Sequence, residues 1–309
     1  MAGRREVVTL AVLAAVAGGV VAASRPSRPP VPRRTGTSAG GMEYLVLGDG
    51  PRTVLMIPGG PGSDLPSGPL GRLVEKGTRP YADAGYTVWL VTRRRHMPPG
   101  HTVADMADDH ARLVREELGG TVDAVVGESY GGMVAMYLAA RHPDTVGALV
   151  LAGAAATLED WGRDVDTRWA RLRAEGRHAE AGAVFLEYLL PDERHARLRR
   201  TLGPVAGRLF ARSTTPPGDL LVEADAEAAF DGRDVLADIT APTLLLAGEE
   251  DEFFALDSVR ATASAIADCT LVTYPGRGHM ATLSSGELPR DVLAWLTRRE
   301  RETAATPPG

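Results

Sequence analysis

Three residues far apart in this chain have the types needed to activate a hydroxyl group. Ser129 lies in the stretch VVGESYGGMVAMYLAARHP (125–143), where Gly127-Glu128-Ser129-Tyr130-Gly131 forms a G-x-S-x-G pattern. Three fixed positions in five recur by chance in a chain with 35 glycines, so context has to decide. TVDAVV (121–126) has the β-branched apolar character of a strand, and Met133, Met136, Tyr137 and Ala140 recur at helical spacing behind the serine. A strand that reverses into a helix within one or two residues crowds the backbone at the turn. Glycines on either side relieve that crowding. The pattern therefore predicts a serine held in a strained turn with its hydroxyl projecting above a sheet edge.

A serine hydroxyl is a weak nucleophile until a base takes its proton, and the base needs an orienting acid. In LLLAGEEDEFF, Asp251 follows a buried strand three residues past Gly248; Glu249, Glu250 and Glu252 are its competitors. In VTYPGRGHM, His279 follows the next strand on a loop with Gly276 and Gly278. The six other histidines, at 96, 101, 110, 142, 178 and 195, all precede the acid, and most read as solvated loop or helix-face residues. The order Ser129, Asp251, His279 is that of a serine–acid–histidine triad on a sheet with crossover helices. Charge developing on a substrate oxygen needs fixed donors. The backbone N–H of Tyr130 would supply one, and Gly60 in Pro58-Gly59-Gly60-Pro61-Gly62-Ser63 the other, because Pro61 has no N–H to give.

These residues need a scaffold, and from Met42 onward strand and helix signals alternate. EYLVLG and TVLMIPGG are apolar runs that read as a hairpin-like start. TVWLVT, VGALVLAG, PTLLLAGEED and CTLVTYPGRGHM are further strands; TVADMADDHARLVREELG and ELPRDVLAWLTRRERE are helices. Continuous apolar strands separated by helices predict a mostly parallel central sheet covered on both faces. Residues 42–156 and 238–300 form this α/β core. Residues 157–237 lack a strand signal and carry Trp161, Val165, Trp169 and Leu172 at helical spacing, so they read as an inserted helical cap above the serine.

The bulk composition, 44% hydrophobic and 24% charged, is that of a globular chain with a large core. A net charge of −6 argues against a nucleic-acid partner. No metal-ligand spacing or nucleotide loop is present, so neither a metal nor a cofactor is expected. The single cysteine, Cys269, opens a strand-like run and reads as a buried structural thiol. The first residues differ from the rest. MAGRRE is basic, 7–23 is an uncharged apolar run, and VAAS offers a cleavage site after Ala23. Residues 1–23 are read as a signal peptide or, at the lower edge of spanning length, a membrane anchor. The Pro- and Arg-rich 24–41 is read as a disordered linker. The protein is thus expected to be secreted or anchored outside the cytoplasm.

The G-x-S-x-G turn and PGGPG together resemble the α/β-hydrolase fold superfamily and, within it, the proline iminopeptidase-like branch, whose loop reads H-G-G-P-G. GYTVWLVT, TVADMADD and GGMVAMYLAARHPDTVGALVLAG are similar to its framework, over about residues 43–299. Pro58 stands where the branch has histidine, and VTRRRHMPPG replaces its D-x-R-G-x-G-x-S loop. The resemblance implies a serine hydrolase acting on a small or medium-sized ester. The alternatives are an aminopeptidase on short peptides and a non-catalytic binding protein on the same frame. The aminopeptidase needs cap carboxylates for a free amine, and Glu159, Asp160, Asp164, Asp166, Glu187, Glu223, Asp225 and Glu227 are available, although a charged helix face accounts for them equally.

Overall fold

The computed structural model describes residues 31–65, 68–208 and 210–305. In chain order the elements are β1 (Arg33–Thr37), β2 (Met42–Leu47), β3 (Arg52–Ile57), α1 (Gly68–Asp83), β4 (Tyr86–Arg94), α2 (Val103–Glu117), β5 (Ala124–Glu128), α3 (Tyr130–Arg141) and β6 (Leu149–Ala152). They continue as α4 (Asp160–Ala174), α5 (His178–Phe185), α6 (Ala196–Gly207), α7 (Pro217–Ala228), β7 (Thr243–Gly248), α8 (Leu256–Ala265), β8 (Cys269–Tyr274), α9 (His279–Leu283) and α10 (Glu287–Ala305). The eight strands make one sheet in the order β1-β2-β4-β3-β5-β6-β7-β8. The β1–β2 and β2–β4 pairs are antiparallel and the remaining pairs parallel.

The central strands are apolar on both faces, as LVLA in β6 and TLLLAG in β7 show, and both are buried throughout. Such strands require cover on each side. Met106 and Leu113 of α2, Met133 and Val134 of α3 and Val259 of α8 pack on one face; Tyr81 of α1 and Leu288, Val292 and Trp295 of α10 pack on the other. Cys269 at the start of β8 is half-buried, and burial pushes its thiol up to about 11.

Two expectations are corrected. The runs that became β2 and β3 do not pair as a hairpin. β2 lies between β1 and β4, while the doubly buried β3 lies between β4 and β5. An apolar β3 hidden on both faces belongs in the sheet interior, and a hairpin with β2 would have excluded β4 from its place. The linker read for 24–41 includes strand β1. RRTGT is almost wholly exposed and has no apolar alternation, so its sequence carries no strand signal. It is held as an edge strand by backbone pairing from Arg33 opposite Leu47 to Thr37 opposite Glu43. The leader read at 1–23 lies outside the described residues; among those described, no helix is long and apolar enough to cross a membrane.

Helices α4–α7 lie between β6 and β7. They have small cores of their own, Val165, Trp169, Ala181 and Val184 in one and Ala170, Leu220 and Ala224 in another. The chain leaves the sheet for this cap from the carboxyl end of β6. Ser129, Asp251 and His279 follow the carboxyl ends of β5, β7 and β8, which places all three on that same edge.

Candidate active site

Ser129 joins β5 to α3 with φ 52° and ψ −119°. It is one of two described non-glycine residues with positive φ, a conformation that costs on the order of 1–3 kcal/mol and persists only when its surroundings enforce it. They do so here. The Ser129 N–H donates to Ala152 O at 2.9 Å, and its carbonyl accepts from Gly132 N at 2.8 Å. A methyl group at Gly127 would lie 2.5 Å from Gly131 O, and one at Gly132 would lie 2.4 Å from Ala154 Cβ. The glycines around the serine are therefore space requirements of a turn packed against β6 and its following loop.

Ser129 Oγ lies 2.9 Å from His279 Nε2, and His279 Nδ1 lies 2.8 Å from Asp251 Oδ2. The other Asp251 oxygen accepts N–H donors from Phe253 and Phe254 at 2.9 and 3.1 Å. With Nδ1 protonated, the histidine donates to the carboxylate and presents a lone pair to the serine hydroxyl. All three side chains are buried, with 8%, 7% and 5% exposure for Ser129, Asp251 and His279. Burial pulls the imidazole pKa down, yet Asp251, by charge and hydrogen bond, outweighs it and leaves the pKa raised above the ordinary histidine value. The rings of Phe253 and Phe254 flank the imidazole, with centroids 4.5 and 5.9 Å away. Glu249, Glu250 and Glu252 are exposed, so of the four carboxylates in this turn only Asp251 meets the histidine. Among the other six histidines, His110 is the buried one; it contacts Met106 O, away from the serine, and burial pushes it down to about 4.

The loop after β3 packs directly on the serine, since a methyl group at Gly59 would lie 2.9 Å from Ser129 Cβ. Gly60 has φ 66°, which glycine adopts freely. Tyr130 is the first residue of α3, where backbone N–H groups have no partner within the helix. Arg93, at the end of β4, is the component that sequence reasoning missed. It is fully buried, its Nη1 donates to Pro58 O at 2.9 Å, its Nη2 reaches Gly60 O, and it pairs with Glu223 of α7 at 2.9 Å. The only signal was three consecutive arginines closing an apolar strand.

The cap completes the chamber with aromatic and acidic side chains. Phe253 touches Trp161 and Tyr188, whose ring centroids lie 5.1 and 5.3 Å away, and Tyr188 in turn packs on Trp169. Of the cap carboxylates, Asp166, Asp219, Glu223 and Glu227 are buried. Burial raises the pKa of both Asp166 and Glu227, and the neighbouring Asp166 carboxyl raises that of Glu227 further. The Tyr188 hydroxyl donates to Asp166. Glu227 Oε2 and Trp169 Nε1 are buried without a hydrogen-bond partner among the described residues. An open cleft of about 640 Å³ reaches Asp251 between Trp161, Pro191 and Asp192 of the cap and Glu252 of the core. Among the described residues no cluster of His, Cys, Asp and Glu could hold a metal ion.

Comparison with known proteins agrees with this architecture. The chain is 29% identical over 250 residues to a pimeloyl-[acyl-carrier protein] methyl ester esterase of Xylella fastidiosa, covering 79% of this chain and 93% of that protein. It is 29% identical over 208 residues to RutD of Serratia proteamaculans, which is assigned as a carbamate hydrolase; the match covers 66% of this chain and 76% of that protein. An esterase from Thermogutta terrifontis superposes with a TM-score of 0.61 at 22% identity, over 87% of this chain and 99% of that one, a likeness of fold. These similarities reach the superfamily and do not single out the iminopeptidase-like branch. The family described as alpha/beta hydrolase fold matches residues 52–285, and the chain belongs to that family.

Proposed function

We propose that this protein is an exported serine hydrolase that cleaves an ester through an acyl-enzyme, with Ser129 as nucleophile, His279 as general base and acid, and Asp251 as its orienting carboxylate. The observation that carries the reading is the unbroken hydrogen-bonded chain from Asp251 through His279 to a serine held at positive φ. In this mechanism His279 takes the Ser129 proton as Oγ attacks the carbonyl carbon. The N–H groups of Gly60 and Tyr130 receive the oxyanion. His279 then protonates the departing alcohol, and a water repeats the sequence to release the acid. Asp251 stabilises the imidazolium without taking its proton. Export rests on the basic start, the apolar run 7–23 and the small residues near Ala23. The esterase relative supports an ester as substrate, of small or medium size.

A second reading, an aminopeptidase, draws support from one feature. Asp166 and Glu227 are buried beside the aromatic wall, and Glu227 Oε2 lacks a hydrogen-bond partner among the described residues, as suits a substrate carrying an ammonium group. Turnover of p-nitrophenyl esters of varied chain length, run beside prolyl and alanyl arylamides, separates the two. The ester reading expects ester hydrolysis that disappears in Ser129→Ala and arylamide rates near background. Faster cleavage of the arylamides would make the protein a peptidase, and equal rates for wild type and Ser129→Ala would remove both readings.

A further inference from the structure

The cap and the oxyanion loop are joined through one buried ion pair. Arg93 belongs to the sheet and Glu223 to cap helix α7, and both side chains have 0% exposure. Taking two charges out of water costs about as much as their attraction returns, so a buried pair contributes little net stability. This pair also leaves Arg93 Nε and Glu223 Oε1 without hydrogen-bond partners among the described residues. Fold stability alone does not account for it.

Its contacts do. Arg93 holds the carbonyls of Pro58 and Gly60, which lie on either side of the Gly59–Gly60 peptide. With both flanking peptides fixed, the Gly60 N–H between them is fixed as well. Glu223 Oε2 accepts from Gly62 N two residues later, so the far end of the same loop is tied to the cap. The other oxyanion donor is reached too. The Arg93 guanidinium lies 4.5 Å over the Tyr130 ring, and the Tyr130 hydroxyl donates to Glu223 O at 2.9 Å. Arg173 of cap helix α4 adds a parallel tie by donating to Pro61 O at 2.7 Å and to Asp64 at 3.2 Å.

We propose that Arg93 and Glu223 are a positioning pair that couples the seating of the cap to the geometry of both oxyanion N–H groups. With the cap seated, Glu223 neutralises Arg93 and anchors Gly62, and the hole is assembled. Lifting α7 withdraws the carboxylate from both partners and lets the Pro58–Gly62 loop relax. This rests on Ser129 being the nucleophile.

The test uses Glu223→Gln, which keeps the shape and an acceptor but removes the charge, and Tyr130→Phe, which removes only the hydroxyl tie. Rates on a p-nitrophenyl ester, affinity for an alkylboronic acid that forms a tetrahedral adduct, and thermal melting are measured on each. Glu223→Gln is expected to lower kcat by about 10- to 100-fold, with KM changed less than about threefold and boronate affinity falling in parallel with kcat/KM. Tyr130→Phe is expected to give a smaller loss of the same kind. A lower melting temperature with kcat unchanged would make the pair structural only, and a raised KM with kcat intact would make it a substrate contact; either overturns the proposal. If Glu223→Gln does not fold, Tyr130→Phe decides by the same criteria. Fluorophosphonate labelling of the wild type separates the two levels. No label on Ser129 removes the serine mechanism itself, whereas a labelled wild type with variants labelled equally fast removes only the coupling.

Discussion

Two buried groups of ionisable side chains share one chamber, and they are built differently. In the Ser129–His279–Asp251 chain, each side chain is met by the next, and both Asp251 oxygens are used. Its members stand on short turns at the ends of strands, and rings of Phe253 and Phe254 hold the imidazole. The cap group, Asp166, Glu223 and Glu227, stands on helices, and Glu227 Oε2, Glu223 Oε1 and the nearby Trp169 Nε1 have no hydrogen-bond partner among the described residues. A complete chain is suited to moving a proton within itself. An incomplete one has contacts left over for something else. In the proposed mechanism the sheet supplies the chemistry, and the cap supplies recognition and positioning.

Substitutions in the first group should have the largest effects. His279→Ala is expected to lower kcat by more than about 10³-fold, since members of such a set act as a unit. Asp251→Asn is expected to cost about 10²- to 10⁴-fold by disturbing the imidazole tautomer. It also removes the charge that raises the His279 pKa. The acid limb of kcat/KM, which in the wild type lies above about 6.5, should move to lower pH in that variant. A pH profile of steady-state rates checks both, and an unmoved limb would show that the titrating group is not His279.

Within the cap group, Asp166 and Glu227 should act more weakly and on stability. The carboxyls of Asp166 and Glu227 have pKa values raised by burial, and for Glu227 by the neighbouring Asp166. A carboxyl whose pKa is higher folded than unfolded favours the fold below its ordinary value of about 4. That contribution is lost as pH rises through the raised value. Melting temperature should therefore decline as pH rises from about 4 up through the raised values. Glu227→Gln cannot ionise and can donate an N–H to Asp166, so its decline should be shallower. Parallel melting curves for the two proteins would mean that the raised Glu227 carboxyl has no part in stability.

Most of the sheet and the whole hydrogen-bonded chain were legible in the sequence, because both have local signatures. Doubly apolar runs declare parallel strands, and glycines crowd a serine only where backbone must approach backbone. Asp251 and His279 were found by their place after strands, a rule of topology. What was hidden depends on tertiary contact. β1 is held by backbone pairing that no side-chain pattern advertises. Arg93 resembles its neighbours Arg94 and Arg95, and only the approach of α7 makes it the buried one. Asp166, Glu223 and Glu227 were indistinguishable from the other cap carboxylates until the helices were packed, since burial is a property of the assembled cap.

The proposed mechanism requires a covalent intermediate on Ser129. Brief mixing with a p-nitrophenyl ester, acid quenching and mass spectrometry of the intact chain and its peptides test it directly. A mass increase of one acyl group is expected, mapped to the peptide carrying Ser129, lost in Ser129→Ala and greatly slowed in His279→Ala. An acyl group on another residue, or the same adduct in Ser129→Ala, would contradict it.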